Sequence, residues 1–383
     1  MKKKIFIVGS TAFSILNFRI EIIKELIKKK YIIYVFCIGE NKKYINDIKS
    51  YGIKVEVLKF QRDNYSLLND LKTIFFIIKK IKLEKPDLIF SYNIKPNLYC
   101  GIVKTFTNYN YKFIPMVTGL GTGFYGKSIK RKIIKFILKK FMYFSFLKAN
   151  QIIFQNIDNA NYLINNKIIK SNLHFIIPGS GVDSKLYPYS KIINSKPITF
   201  LMISRLVNEK GVKEFYLASK KMKQKFNNEI NFILAGSLEK SIDKISNVLF
   251  SEIINDKSLK FIDTSNNLNI NQINTLIKSC HVYVLPSYHE GMPRSVLEAM
   301  SIGRAIITTN TSGCKETVVD GINGYLTDVG NVKQLINAMK KCIINFDSLQ
   351  KMGDNSFNIV MKKFETKNIT KQYIALFENE LLL

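Results

Sequence analysis

Residues 282–299 read Val282-Tyr283-Val284-Leu285-Pro286-Ser287-Tyr288-His289-Glu290-Gly291-Met292-Pro293-Arg294-Ser295-Val296-Leu297-Glu298-Ala299. Four apolar residues stop at Pro286, and a loop holding Gly291 and Pro293 follows. A helical pattern opens near Ser295, and Ala305–Thr308 is apolar again. A short apolar strand, a loop, a helix and a second apolar strand form the unit from which parallel sheets covered on both faces are built.

The same alternation extends in both directions. Around the quoted stretch, strands are expected at Thr199–Ser204, Asn231–Ala235 (ending at Gly236), Leu259–Ile262 and Tyr325–Leu326. The helices between them are Gly211–Lys223, Ile270–Ser279 and Val332–Asn345. An earlier series places strands at Lys4–Val8, Tyr31–Ile38, Lys54–Lys59, Leu88–Ser91, Phe113–Val117 and Gln151–Gln155. Its helices are Phe18–Lys30, Lys42–Tyr51, Ser66–Lys82 and a basic one at Ser128–Ala149. A stretch rich in Pro, Ser and Lys, Tyr187–Lys196, separates the series. The fold class is therefore α/β, with two Rossmann-like doubly wound parallel-sheet domains at 1–190 and 191–365. A closing helix at 366–383 is available to pack back on the first domain. Such sheets bind ligands outside the carboxyl ends of their strands, so a cleft between the two domains is expected.

The 383 residues include 58 Lys+Arg against 29 Asp+Glu. A composition crowded with Lys, Asn and Ile accounts for part of that excess, but not for its distribution. Residues 1–190 hold 33 cations and 11 carboxylates, residues 191–383 hold 25 and 18, and no carboxylate occurs from Leu88 to Ile157. A one-sided field implies an anionic partner: nucleic acid, phosphorylated substrate or lipid headgroups. The chain has no zinc-ligand spacing, no aromatic–basic single-strand signature and no compact recognition module, which argues against nucleic acid. The five cysteines (Cys37, Cys100, Cys280, Cys314 and Cys342) fit free thiols rather than a disulfide framework. The apolar run after Met1-Lys2-Lys3-Lys4 breaks at Gly9-Ser10, so it reads as a buried strand, not a signal peptide. No uncharged apolar stretch is long enough for a transmembrane helix.

The chemistry concentrates near the opening stretch. A helix start near Ser295 offers backbone N–H groups and a positive dipole end to an anion. Glu290 in the loop and Glu298 on the helix can grip different hydroxyls of one ligand. Arg205 and Lys210 in Ser204-Arg205-Leu206-Val207-Asn208-Glu209-Lys210-Gly211 follow the first strand of the same domain. Two fixed cations there can neutralise a leaving diphosphate.

These segments resemble the retaining glycosyltransferases of family 4, which have the GT-B architecture. The matching marks are Arg205 and Lys210, Gly236 in Leu234-Ala235-Gly236, Glu290 with seven residues before Glu298, and Gly313 through Gly324. The resemblance implies that Arg205 and Lys210 hold the donor diphosphate, Glu290 the donor sugar and Glu298 the ribose. Gly236 and main-chain groups around Gly291, Met292, Pro293, Ser295, Val296 and Leu297 complete the donor site, and Glu290, Arg205 and Lys210 carry catalysis. It also implies no metal or other cofactor, with a UDP-sugar as substrate, and the chain contains no Asp-x-Asp triplet. Phe90–Asn97 and Val117–Gly121 resemble segments of transferases that build surface or protein-linked glycans on a polyprenyl-diphosphate carrier. Gly211-Val212-Lys213-Glu214-Phe215 resembles those that add N-acetylgalactosamine. On that basis the acceptor side falls to Ser14, Arg19, Lys95, Asn97, Gly119 and Gly121. Two departures concern this side: Gly9-Ser10 replaces the family's Gly-Gly pair, and Ile94 stands where several relatives place a His.

The helix expected at Lys127–Lys148 carries Arg131, Lys135 and Lys139 at i, i+4 and i+8, with Ile133, Phe136, Ile137, Phe141 and Phe144 mostly opposite. Such a helix suits an anionic membrane surface, with Arg131, Lys135 and Lys139 toward it. The expected place is then the cytoplasm, at the inner face of the cell membrane. Two other readings remain on the sequence: a glycosyltransferase with a soluble or glycolipid acceptor, and a nucleic-acid-binding protein using its basic half. A dehydrogenase would need Gly-x-Gly-x-x-Gly after a first strand, which neither series has.

Overall fold

A computed structural model describes residues 2–39, 41–58, 66–121, 129–238, 241, 243–266 and 268–382; of residues 129–132 and 134 it describes the backbone alone. The chain divides into two compact units, Met1–Ser180 with Lys367–Leu383, and Gly181–Thr366.

In the first unit, β1 (Lys4–Thr11), β2 (Ile32–Ile38), β3 (Lys54–Leu58), β4 (Leu88–Tyr92), β5 (Lys112–Val117), β6 (Ile152–Phe154) and β7 (His174–Ile176) form one sheet. Its order is β3-β2-β1-β4-β5-β6-β7, with every neighbouring pair parallel. In the second, β8 (Ile198–Ile203), β9 (Ile230–Gly236), β10 (Lys260–Asp263), β11 (Val282–Leu285), β12 (Ala305–Thr309) and β13 (Gly324–Thr327) run β10-β9-β8-β11-β12-β13, again all parallel. Each order reverses once, between β1 and β4 and between β8 and β11. The crevice outside the carboxyl ends of those strands is the topological switch point of each sheet.

Helices cover both faces of each sheet, which is why Ile5–Val8, Leu88–Phe90 and Val282–Val284 are apolar without alternation and fully buried. The first unit contains α1 (Ala12–Phe18), α2 (Ile20–Lys28), α3 (Lys42–Lys49), α4 (Leu67–Glu84), α5 (Ile94–Phe106), α6 (Ile129–Phe146) and α7 (Ile157–Asn165). The second contains α8 (Val212–Phe226), α9 (Asn247–Asn255), α10 (Ile270–Lys278), α11 (Arg294–Ser301), α12 (Val332–Ile344) and α13 (Leu349–Ile359). α5 has no counterpart in the sequence reading; Pro96 sits in its first turn, where a missing N–H breaks no helical bond.

Two expectations need correction. The boundary lies at Ser180/Gly181, ten residues before the expected one. Val182, Tyr187 and Ile192 pack in the second core, and the buried Arg304 guanidinium donates to the Ser190 hydroxyl at 2.9 Å. Those contacts tie a polar-looking stretch into the second unit. The last helix, α14 (Thr366–Leu382), packs back on the first unit as expected: Ile369, Tyr373 and Phe377 lie in its core, with both rings against Phe90.

The second correction concerns α6. Lys135 and Lys139 are half-buried and lean onto α7. Both ammonium groups lie over the Tyr162 ring of α7, and Lys139 also donates to Asn166 Oδ1 at 2.6 Å. Met142, Ser145 and Phe146 share that covered side, while Phe136, Phe141 and Phe144 are exposed. The Arg131 side chain lies outside the described residues. The lysine side of the helix is the one turned to α7.

Candidate functional site

The second unit's switch point is built from two strand ends. β8 ends at Ile203 and hands the chain to Ser204–Lys210. Gly211 then turns with φ +73°, and a Cβ there would sit 2.2 Å from the Pro286 carbonyl oxygen. That close approach lays the Arg205–Lys210 segment against the loop after β11. Gly236 serves the same packing at the end of β9, where a Cβ would meet the Ser204 carbonyl at 2.3 Å. Its place at this edge is a matter of backbone contact.

On that base the expected charged groups converge. Lys210 Nζ donates to Glu290 Oε1 at 2.5 Å, and the Ser287 hydroxyl donates to the same oxygen at 2.9 Å. Arg205 pairs with Glu209 Oε1 at 3.4 Å, and His289 Nε2 lies 3.4 Å from the other Glu209 oxygen. The Tyr288 amide donates to the Glu209 carbonyl at 2.8 Å. Arg205 and Glu290 thus belong to one continuous set of contacts. Burial pushes the His289 imidazole down to about 4, against the pull of Glu290, so the ring is neutral at pH 7. Burial raises the Glu209 carboxyl even though Lys210 and Arg205 oppose it.

α11 opens beside this cluster. Its N-cap is Pro293, which supplies no side-chain cap, and its first turn holds no acid, so nothing on the helix itself neutralises its positive end. The expected backbone cradle contracts, however. The Val296 and Leu297 amides both donate to the Pro293 carbonyl, at 3.1 and 3.2 Å, and both side chains are buried in the core. Gly291, Met292 and Ser295 remain half-buried at the mouth. Glu298 accepts from Arg294 Nε at 3.1 Å, and burial raises its carboxyl. Among the described residues, no group of three or more His, Cys, Asp or Glu could hold a metal ion.

The first unit's switch point is different. Ser14 Oγ donates to the Thr11 carbonyl at 2.8 Å and meets the Tyr92 hydroxyl at 2.9 Å. Gly9 leaves the room for that phenol, since a Cβ there would stand 2.3 Å from its oxygen. Two acceptor-side expectations are corrected. Asn97 is buried, bonded to Ser91 Oγ at 2.7 Å and to the Met116 carbonyl at 2.8 Å, and braces β4 to β5. Arg19 is buried too, its guanidinium 4.7 Å from the Tyr92 ring centre and flanked by Phe90 and Tyr373. Lys95 lies half-buried 3.7 Å from Asp70. Gly119 and Gly121 take φ +159° and +79° after β5.

The profile described as "Glycosyl transferases group 1" matches residues 183–358, and "Glycosyl transferase 4-like" matches residues 4–156. The chain is a family 4 glycosyltransferase of the GT-B fold. It is 28% identical over 378 residues (95% of this chain, 96% of the relative) to the N,N'-diacetylbacillosaminyl-diphospho-undecaprenol alpha-1,3-N-acetylgalactosaminyltransferase of Campylobacter jejuni. It is 26% identical over 344 residues (83% and 82%) to the UDP-Gal:alpha-D-GlcNAc-diphosphoundecaprenol alpha-1,3-galactosyltransferase of Escherichia coli. The fold is that of HepE from Anabaena, solved with UDP and glucose, with TM-score 0.77 and 18% identity over 98% of this chain and all of that one.

In this glycosyltransferase the residues that sequence reasoning missed are the ones holding the Glu290 loop. The Thr308, Thr309 and Thr311 hydroxyls donate to the carbonyls of Leu285, Ser287 and Tyr288 in turn. The Ser312 carbonyl accepts from the Glu290 amide at 3.1 Å. A run of three threonines within four positions at a strand end, beside a loop needing its carbonyls satisfied, was the available signal.

Proposed function

We propose that the chain transfers a hexose or N-acetylhexosamine from a UDP-sugar to a polyprenyl-diphosphate-linked saccharide, with retention at the anomeric carbon. No metal or other cofactor takes part. The observation that carries the donor half is the Lys210–Glu290 contact at 2.5 Å, at the switch point and next to the α11 N-terminus. A pyrophosphate placed there meets the Lys210 ammonium, the Arg205 guanidinium and the positive helix end. Together these stabilise the charge that develops as the sugar–phosphate bond breaks. Glu290, anchored by Ser287, is then positioned to accept from sugar hydroxyls, and Glu298 to accept from the ribose. The acceptor half rests on the two relatives named above, whose acceptors are undecaprenyl-diphosphate-linked sugars. Such an acceptor lies in a bilayer, so the enzyme works at the inner face of the cell membrane. Among the described residues no helix is long and apolar enough to cross it. Nucleic acid is not a partner.

The test is a panel of UDP-sugars in a thermal-shift and UDP-release assay, with EDTA present and absent, repeated with Glu290→Ala. One UDP-sugar should raise Tm and turn over irrespective of EDTA, and Glu290→Ala should remove the discrimination between sugars. Sugar discrimination that survives the substitution would reject the assignment.

A further inference from the structure

The glycosyltransferase's first unit exposes apolar side chains in an arrangement that no packing need explains. α5 lies in one layer between α4 and α6, so close to α6 that a Cβ on Gly101 would stand 2.2 Å from the Ser145 carbonyl. On α4, Thr73, Ile77 and Ile81 are turned to the sheet. The opposite side shows Leu68 and Phe75 at 71% and 68% exposure, with Leu71 half-exposed. On α6, Phe136 and Phe144 are 62% and 56% exposed, with Phe141 beside them. Monomeric surfaces carry single exposed apolar residues, but paired helical rows of Leu and Phe mark an interaction site.

We infer that the outward rows of α4 and α6 together form the face by which the enzyme seats itself on an anionic bilayer, with the Leu and Phe side chains entering the headgroup–acyl boundary. Charge selects the occupant. Lys72, Lys79 and Lys82 on α4 and Lys140 on α6 are exposed with these rows. The only carboxylates on the three helices, Asp70 and Glu84, are turned away: Asp70 accepts from Tyr99, and Glu84 bonds Lys4 and Tyr34. A second copy would bring two lysine-bearing faces together and be repelled. An anionic lipid surface satisfies both the apolar rows and the lysines. α6 therefore engages the bilayer through its phenylalanine side, not through Lys135 and Lys139, and α4 is an equal part of the contact. The inference extends the lipid-linked acceptor reading, but the surface stands on its own geometry.

The experiment is co-sedimentation of the full chain with phosphatidylcholine vesicles containing phosphatidylglycerol, alongside transfer to a short-chain, water-soluble acceptor. Leu68→Glu/Phe75→Glu and Phe136→Glu/Phe144→Glu should each lower vesicle partitioning at least about tenfold. Lys135→Gln/Lys139→Gln should change it less than about twofold. All of these positions except Lys135 and Lys139 are exposed, so Tm should hold. Wild-type partitioning in both Glu pairs, or its loss only in the Gln pair, overturns the inference. So does equal binding to pure phosphatidylcholine, or a concentration-dependent dimer that the Glu pairs abolish without any vesicle binding. Sedimentation reads the surface and the soluble acceptor reads the activity, so the two proposals fail separately.

Discussion

The two sheets share a strand order, yet their switch points hold opposite kinds of chemistry. At β8/β11 the side chains are charged, half-buried and arranged as cation–acid pairs: Lys210 with Glu290, Arg205 with Glu209. At β1/β4 the space is filled by groups that satisfy one another or stack: Ser14 on Tyr92, Asn97 between Ser91 and Met116, Arg19 among three rings. Topology makes a crevice in both units. What occupies it depends on whether the loops after the strands bring titratable groups within a few ångströms of each other. In the second unit they do, because Gly211 and Gly236 allow backbone segments to touch. In the first, Tyr92 and Arg19 fill the room instead.

The largest expected break in this comparison is kinetic. Lys210→Met should lower kcat/KM by about 10²- to 10³-fold, as loss of a transition-state charge partner does, and should also lower Tm, because Glu290 is left without its cation. Asn97→Leu in the first unit should lower stability alone. It leaves the Ser91 hydroxyl and Met116 carbonyl unpaired, lowers stability by about 1–3 kcal/mol and keeps the wild-type Kd for the UDP-sugar. Equal losses of donor affinity in both variants would erase the distinction.

A sharper comparison uses pH. His289 is neutral in the fold down to about pH 4, while an unfolded imidazole charges near 6.5. The unfolded chain therefore binds the extra proton first, and stability falls as pH drops from 6.5 toward 4, by at most about 3 kcal/mol from this residue. Glu209 and Glu298, raised by burial, act in the opposite sense from about 4.5 upward. His289→Asn should flatten the acid-side slope measured by denaturant unfolding at a series of pH values. An unchanged slope would place the acid sensitivity elsewhere.

The smallest effect is expected at Arg19. Its guanidinium is buried among rings and meets a sulfur, Met116 Sδ, at 3.1 Å, so desolvation offsets most of what the rings return. Arg19→Met should change stability by no more than about 1 kcal/mol and leave turnover intact. A loss of turnover with the fold intact would return Arg19 to the acceptor side.

Legibility followed how local the cause was. The strand–loop–helix of residues 282–299 was readable in type and place because its apolar run, prolines and glycine act on their own neighbours. Arg205, Lys210 and Glu290 could be named from two such segments. That Lys210 and Glu290 touch, and that three threonines of β12 and the loop after it hold the carbonyls beside them, required β12 to lie next to β11. On the acceptor side the residue types were suggestive, but a buried asparagine and a solvent-facing one look alike in a sequence.

By itself, the sequence determined two doubly wound units, most of their strands and the charged set at the second unit's edge, because periodicity and turn chemistry are properties of contiguous residues; it left α5, α7, β7, α9 and α13 unread. Tertiary packing decided the rest: that the stretch around Tyr187 belongs to the second unit, that α14 completes the first core, and which side of α6 is covered. A helical wheel defines two faces and does not say which one a neighbour will occupy. Tyr162 and Asn166 of the α7 region took the lysine side, and that left the phenylalanines exposed.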